Sequence, residues 1–409
     1  MLKYILVSLT VNLVLSCLFV GLLNLIGFLD RADFQECFSI MFIIMTIRSG
    51  FDYYFNKKKR RIGTKPILLY LITYANLFCS CEQETPILIQ KDKTIIFYVV
   101  ADNDLYNSSI EFMKQFEDFP DAENVNLLFV WATPDEMKLF RLEQDGLICI
   151  KEYGKINPLN SETMSCIISN LRHSFPSKET GLILWSHALG WLPNDFLSSR
   201  SFGLANGKTM SIPQLAMSLK DSFNYIIFDA CYMPNIEVVA YFQQKCHYLL
   251  ASPIIVPTDG IIDSVSTKTL VSSLPLKERL IEVGRHYLHK YEERECKNHI
   301  SISLIDLSQY SNVRKLCREI PRLEINETNL FVYKFRYIDI FFDWVTLMKS
   351  AKIDTSHIND FIVFHGNSEQ EERDYGLSVF VPTSSNVDYQ YAYKQTVWNT
   401  EVNWLDKFK

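Results

Sequence analysis

Leu182-Ile-Leu-Trp-Ser-His-Ala-Leu-Gly-Trp191 and Tyr225-Ile-Ile-Phe-Asp-Ala-Cys-Tyr-Met233 are two apolar, β-favouring runs, and each ends on a reactive side chain, His187 or Cys231. Continuous apolar runs of this length read as strands buried on both faces of a parallel sheet. In open α/β sheets chemistry collects beyond the carboxyl ends of the strands. A His and a Cys at two such ends can meet, and a Cys/His pair makes a nucleophile.

The neighbouring sequence supplies the rest of such a sheet. Strands are expected at 93–100, 125–133, 181–187, 225–229 and 248–252, with a hairpin at 140–150. Helices are expected at 110–116, 161–174, 212–223 and 236–243; Asn103 and Asp104 read as the turn and helix start after the first strand. Strands alternating with helices imply a three-layer α/β sandwich, its sheet mostly parallel and covered on both faces. From about residue 270 a C-terminal extension follows: helices at 276–293 and 312–320 around a strand at 300–307, an aromatic-rich stretch at 331–348, a strand at 375–382 and a closing helix at 397–408. The globular domain is thus read as 90–409.

Residues 1–81 read as targeting rather than fold. The stretch 4–29 is apolar and long enough to cross a bilayer. Lys57-Lys-Lys-Arg-Arg61, the apolar run 66–78 and Leu77-Phe-Cys-Ser-Cys81 follow the order of a secretory signal. The ending resembles a bacterial lipoprotein signal with Cys81 as the lipidated residue. Acidic residues just after that cysteine resemble those of surface lipoproteins of Bacteroidetes. A signal starting near residue 57 suggests that residues 1 to about 50 come from a misassigned upstream start. The positive clusters place the domain outside the cytoplasm, in the cell envelope, anchored by lipid or by the N-terminal segments.

A net charge of −6 and a pI near 5.8 argue against a nucleic-acid partner. The cysteines outside the targeting region have no disulfide-framework spacing. His286, His289, Cys296 and His299 have metal-like spacing, but most lie on an expected helix rich in Glu and Lys, and a solvated helix face is the simpler reading. No metal site is assigned.

On residues alone, Cys231 could be a small apolar strand end and His187 a hydrogen-bonding one. Four stretches go further. Tyr98-Val-Val-Ala-Asp-Asn-Asp-Leu105, Trp185-Ser-His-Ala-Leu-Gly-Trp-Leu-Pro193, Phe228-Asp-Ala-Cys-Tyr-Met-Pro-Asn-Ile-Glu237 and Tyr375-Gly-Leu-Ser-Val-Phe-Val-Pro382 make residues 93–408 similar to the clostripain family of cysteine peptidases. The resemblance implies a caspase-like fold, with peptides or proteins as substrates. It implies His187 as base, Cys231 as nucleophile and the N–H groups of Ala188 and Cys231 as oxyanion donors. It also implies that Asp229 favours Arg or Lys before the cut bond, with hydrogen bonding to the nucleophile turn as a compatible second role. Activation by a cut after Arg200 or Lys208 and a dependence on calcium are implied only by the family.

Two departures bear on activity. The family has Gly after the catalytic His, where this chain has Ala188; Gly there would permit positive φ. Acidic family positions are held by Leu204 and by Ile254-Ile-Val256. A catalytically inactive scaffold serving as a surface binding protein is therefore the competing reading.

Overall fold

A computed structural model describes residues 90–120, 124–192, 202–293, 299–324, 329–335 and 338–408. Ile87–Lys409 forms one compact unit. The targeting region, with Cys81, lies outside the described residues.

In chain order the strands are β1 (Lys91–Val100), β2 (Val125–Ala132), β3 (Met137–Glu143), β4 (Gly146–Gly154), β5 (Ser177–Trp185), β6 (Phe202–Ala205), β7 (Lys208–Met210), β8 (Phe223–Asp229), β9 (Cys246–Ala251), β10 (Ser301–Asp306), β11 (Val332–Phe335), β12 (Ile338–Asp343), β13 (Ile362–Asn367) and β14 (Ser378–Val379). Nine form one sheet in the order β13-β10-β9-β8-β5-β1-β2-β3-β4. The centre, β9-β8-β5-β1-β2, is parallel. The two flanks are antiparallel, so the sheet is more mixed than the expected mostly parallel one. At the β2 flank the cause is local: four residues separate β2 from β3, too few for a parallel crossover.

Side chains of a strand alternate between faces, and β1 shows what that builds. Ile95, Phe97 and Val99 pack with Phe112, Leu270, Leu280 and Tyr287 on one side. Ile96 and Tyr98 pack with Met164, Ile167, Leu215 and Val239 on the other. Helices Tyr106–Lys114, Ser264–Val271 and Leu276–Glu293 thus cover one face. Helices Ser161–Ser174, Ile212–Ser218 and Ile236–Phe242 cover the other. The result is the three-layer α/β sandwich.

The C-terminal extension shares this core. Its small sheet, β11-β12-β14, places Tyr333, Phe341 and Phe380 in the cluster that holds Tyr98 and Val239. Three expected elements are shorter than read. The 212–223 helix ends at Ser218, where Leu219 turns extended, and Phe223 already opens β8. The 375–382 strand is only Ser378–Val379, and it ends where the Phe380 N–H turns to the Glu237 carboxyl. The closing helix stops at Val402, since Asn403 takes a left-handed φ of 53° and a 3-10 turn, Trp404–Phe408, follows.

Among the described residues no helix is long and apolar enough to cross a membrane.

Candidate active site

The site is built at the carboxyl ends of β1, β5 and β8, adjacent parallel strands. β1 has β5 on one side and β2 on the other, which is the reversal of strand order where such sheets open a crevice. Three loops leave the sheet here: 101–105 after β1, 186–192 after β5 and 230–235 after β8.

His187 lies two residues past β5. Ser186 anchors the exit, its Oγ donating to the Val100 carbonyl at 2.9 Å. The His187 carbonyl accepts the Gly203 N–H at 2.7 Å, and Ala188 bridges to Phe202. The imidazole Nε2 is 2.8 Å from Asp104 Oδ1. Ala188 is buried and is not among the residues with positive φ, so its methyl meets no left-handed strain. The positive φ of this loop falls at Gly190, 58°.

Cys231 follows β8 and is partly buried. Its Sγ accepts the Val256 N–H at 3.3 Å and stands 3.9 Å from the Val256 carbonyl. Burial pushes the thiol up to about 11, against the pull of the Val256 amide and of its own. The hydrogen bonds of the two side chains thus join Cys231 to Val256 and His187 to Asp104. In this arrangement the sulfur is a thiol, and a thiol is a poor nucleophile until a base takes its proton.

Asp229 is 3% exposed, and its two oxygens accept the Ile261 N–H at 2.7 Å and the Ile262 N–H at 3.0 Å. Gly260 permits this approach: with φ at 71°, a Cβ there would lie 2.6 Å from Asp229 Oδ2. Burial raises the carboxyl to about 6, while the two amides and Lys290 lower it. Lys290, itself buried, donates to the Gly260 carbonyl at 2.9 Å and to Asp263 at 3.1 Å. The contacts of Asp229 are therefore those that hold the 260–262 turn.

Lys208 is exposed in the β6–β7 hairpin, paired with Ala205. Arg200 lies outside the described residues. The metal-like set is dispersed, and its helix face is not simply solvated. His286 Nε2 is 2.9 Å from Asp263, His299 Nε2 is 2.9 Å from Asp374, and His289 pairs with Glu293. Cys296 lies outside the described residues. Among the described residues no group of His, Cys, Asp or Glu could hold a metal ion.

Two residues of the site escape a reading of the sequence. One is Asp104, read as part of a turn and helix start and given no role of its own at the site. The other is Tyr232, which takes a φ of 56° directly after the nucleophile position. A bulky side chain with positive φ is a strained backbone that its surroundings must hold. Tyr232 is held by the C-terminal extension. Its ring stacks on Phe341 at 5.2 Å and meets Phe335 edge-on, and its hydroxyl donates to the Lys334 carbonyl.

A family model described as the clostripain family matches residues 97–403. Among solved structures, a secreted C11 cysteine protease from Bacteroides thetaiotaomicron, in complex with an irreversible peptide inhibitor, is 21% identical with a TM-score of 0.68. The match covers 76% of this chain and 99% of that one. An inactive zymogen C11 protease from Parabacteroides distasonis is 20% identical, with a TM-score of 0.65, covering 77% of this chain and 99% of that one. At these identities the likeness is one of fold, and it is the caspase-like sandwich. No curated protein matches the chain.

Proposed function

Because this chain belongs to the clostripain family, we propose that it is a cysteine endopeptidase working through Cys231 and His187. The observation that carries the reading is the convergence of three loops at the carboxyl ends of β1, β5 and β8, two of them bearing His187 and Cys231, with the Val256 N–H from the segment after β9 donating to the sulfur. His187 takes the thiol proton, the sulfur attacks the scissile carbonyl, and the imidazolium returns a proton to the leaving amine. The N–H groups of Cys231 and Ala188 are assigned to the oxyanion.

A preference for Arg or Lys is assigned to Asp229 as a buried negative charge two residues before Cys231. Its oxygens are already taken by backbone amides, so a basic side chain meets its field and not a bidentate clamp. Activation is assigned to a cut after Arg200 or Lys208, of which Lys208 is exposed in the β6–β7 hairpin. The domain is placed in the cell envelope, outside the cytoplasm, tethered by lipid on Cys81 or by the N-terminal segments. Mass spectrometry of the mature N-terminus tests that placement.

A second reading, a silent binding scaffold, is favoured by one observation: the thiol is pushed up to about 11 with His187 turned to Asp104. A thiol-directed peptide inhibitor separates the two. Modification at Cys231 supports the peptidase. Modification elsewhere without Cys231, for instance at Cys149 and Cys166, which are exposed among the described residues, favours the scaffold.

A further inference from the structure

We propose that Asp104 is the positioning residue of this peptidase, fixing the His187 ring so that Nδ1 is the atom that exchanges protons. The inference rests on the assignment of His187 as base. Asp104 Oδ1 lies 2.8 Å from Nε2. A carboxylate accepts only, so the ring nitrogen facing it carries the proton. The neutral imidazole then has its lone pair on Nδ1. The thiol proton moves to Nδ1 as the thiolate forms, and the Nε2 proton stays with Asp104. Nδ1–H then passes to the leaving amine as the carbon–nitrogen bond breaks. The carboxylate stabilises the imidazolium formed in between.

The turn that carries Asp104 is built to hold it. Asn103 Nδ2 donates to the carbonyls of Leu204, at 2.6 Å, and of Val100, while its Oδ1 accepts the Leu105 N–H at 2.7 Å. The Asp102 carbonyl accepts the Asn206 N–H at 3.1 Å. The same β6 segment binds the His187 carbonyl through Gly203. One strand therefore ties down both the carboxylate-bearing turn and the imidazole-bearing loop, and their geometry is shared. The two loops leave neighbouring strands, β1 and β5, at the reversal of strand order.

The Asp104 side chain is 74% exposed, so its effect is smaller than that of a buried orienting carboxylate. In the full chain, Asp104→Ala lowers kcat for peptide hydrolysis by about tenfold with KM unchanged, and Asp104→Glu restores part of the loss. Nitrogen-15 spectra of His187, recorded in the Cys231→Ala chain, place the proton on Nε2; in Asp104→Ala the two tautomers mix. Unchanged kcat in Asp104→Ala, or a proton on Nδ1 in the neutral ring, overturns the proposal while leaving the peptidase reading intact. A rise in activity in Asp104→Ala also overturns it, since Asp104 would then be holding His187 away from the thiol. Absence of hydrolysis by the unmodified chain counts against the peptidase reading, and the spectra still decide the role of Asp104.

Discussion

Gly190 lies against the carbonyl of Tyr232: a Cβ on Gly190 would come within 2.6 Å of that oxygen and 2.4 Å of Asn235 Nδ2. Asn235 in turn donates to the same carbonyl at 2.6 Å. The loop bearing His187 and the loop bearing Cys231 are thereby packed into one body. Trp191, next in the chain, extends the contact into the C-terminal extension through Phe380 and Tyr393.

Gly190→Ala therefore strains both loops at once. Its φ of 58° disfavours a side chain, and the space is filled by backbone and by a bonded amide. We expect a loss of about 2–4 kcal/mol in urea unfolding and a slower reaction of Cys231 with a thiol-directed peptide. An Ala variant with wild-type stability and wild-type labelling would show that the loops move independently.

Glu237 gives a pH dependence with a defined sign. Fully buried, it accepts from the Phe380 N–H and the Tyr393 hydroxyl on Oε1, while Oε2 has no partner. Burial raises the carboxyl from 4.5 to about 7. A folded value above the unfolded one means that the contribution is full below about pH 4.5 and is lost as the pH rises through about 7. The span is about 3 kcal/mol. Glu237→Gln removes this dependence, so its urea midpoint changes less between pH 5 and pH 8 than that of the unmodified chain. Parallel pH profiles for the two chains would contradict the assignment.

Asp229 sets a test of specificity. If it acts by charge alone, peptides with Lys and with Arg before the cut bond are hydrolysed at similar kcat/KM, because a bidentate site would favour Arg. Both exceed a neutral peptide at pH 8. The margin narrows below about pH 6, as the carboxyl gains its proton. A strong preference for Arg over Lys, or for the neutral peptide, would remove the role given to Asp229.

These tests depend on how far the residues disclose the site. The strands that carry His187 and Cys231 are legible because Leu182–Trp185 and Tyr225–Phe228 are unbroken apolar runs, and both end at the sheet's carboxyl edge. Asp104 is not legible, because its partner is 83 positions away and an Asn/Asp cluster after a strand is ordinary turn chemistry. An Asp at the end of the strand where the order reverses is the signal that could have drawn attention to it. The left-handed Tyr232 leaves no local trace either. Its conformation is imposed by aromatic packing from Phe335 and Phe341, about a hundred residues later. The short β14 has a similar cause, since the Phe380 N–H that follows it bonds to Glu237 instead of continuing a ladder.

In the proposed mechanism Cys231 and His187 act on the same substrate carbonyl. Hydrolysis of a Lys- or Arg-containing reporter peptide by the full chain, by Cys231→Ala and by His187→Ala measures it most directly. Turnover by the unmodified chain is expected, with a fall of at least about a thousandfold in kcat for either variant, the two losses not adding in the double variant. Turnover that survives in Cys231→Ala, or losses that multiply in the double variant, would contradict it.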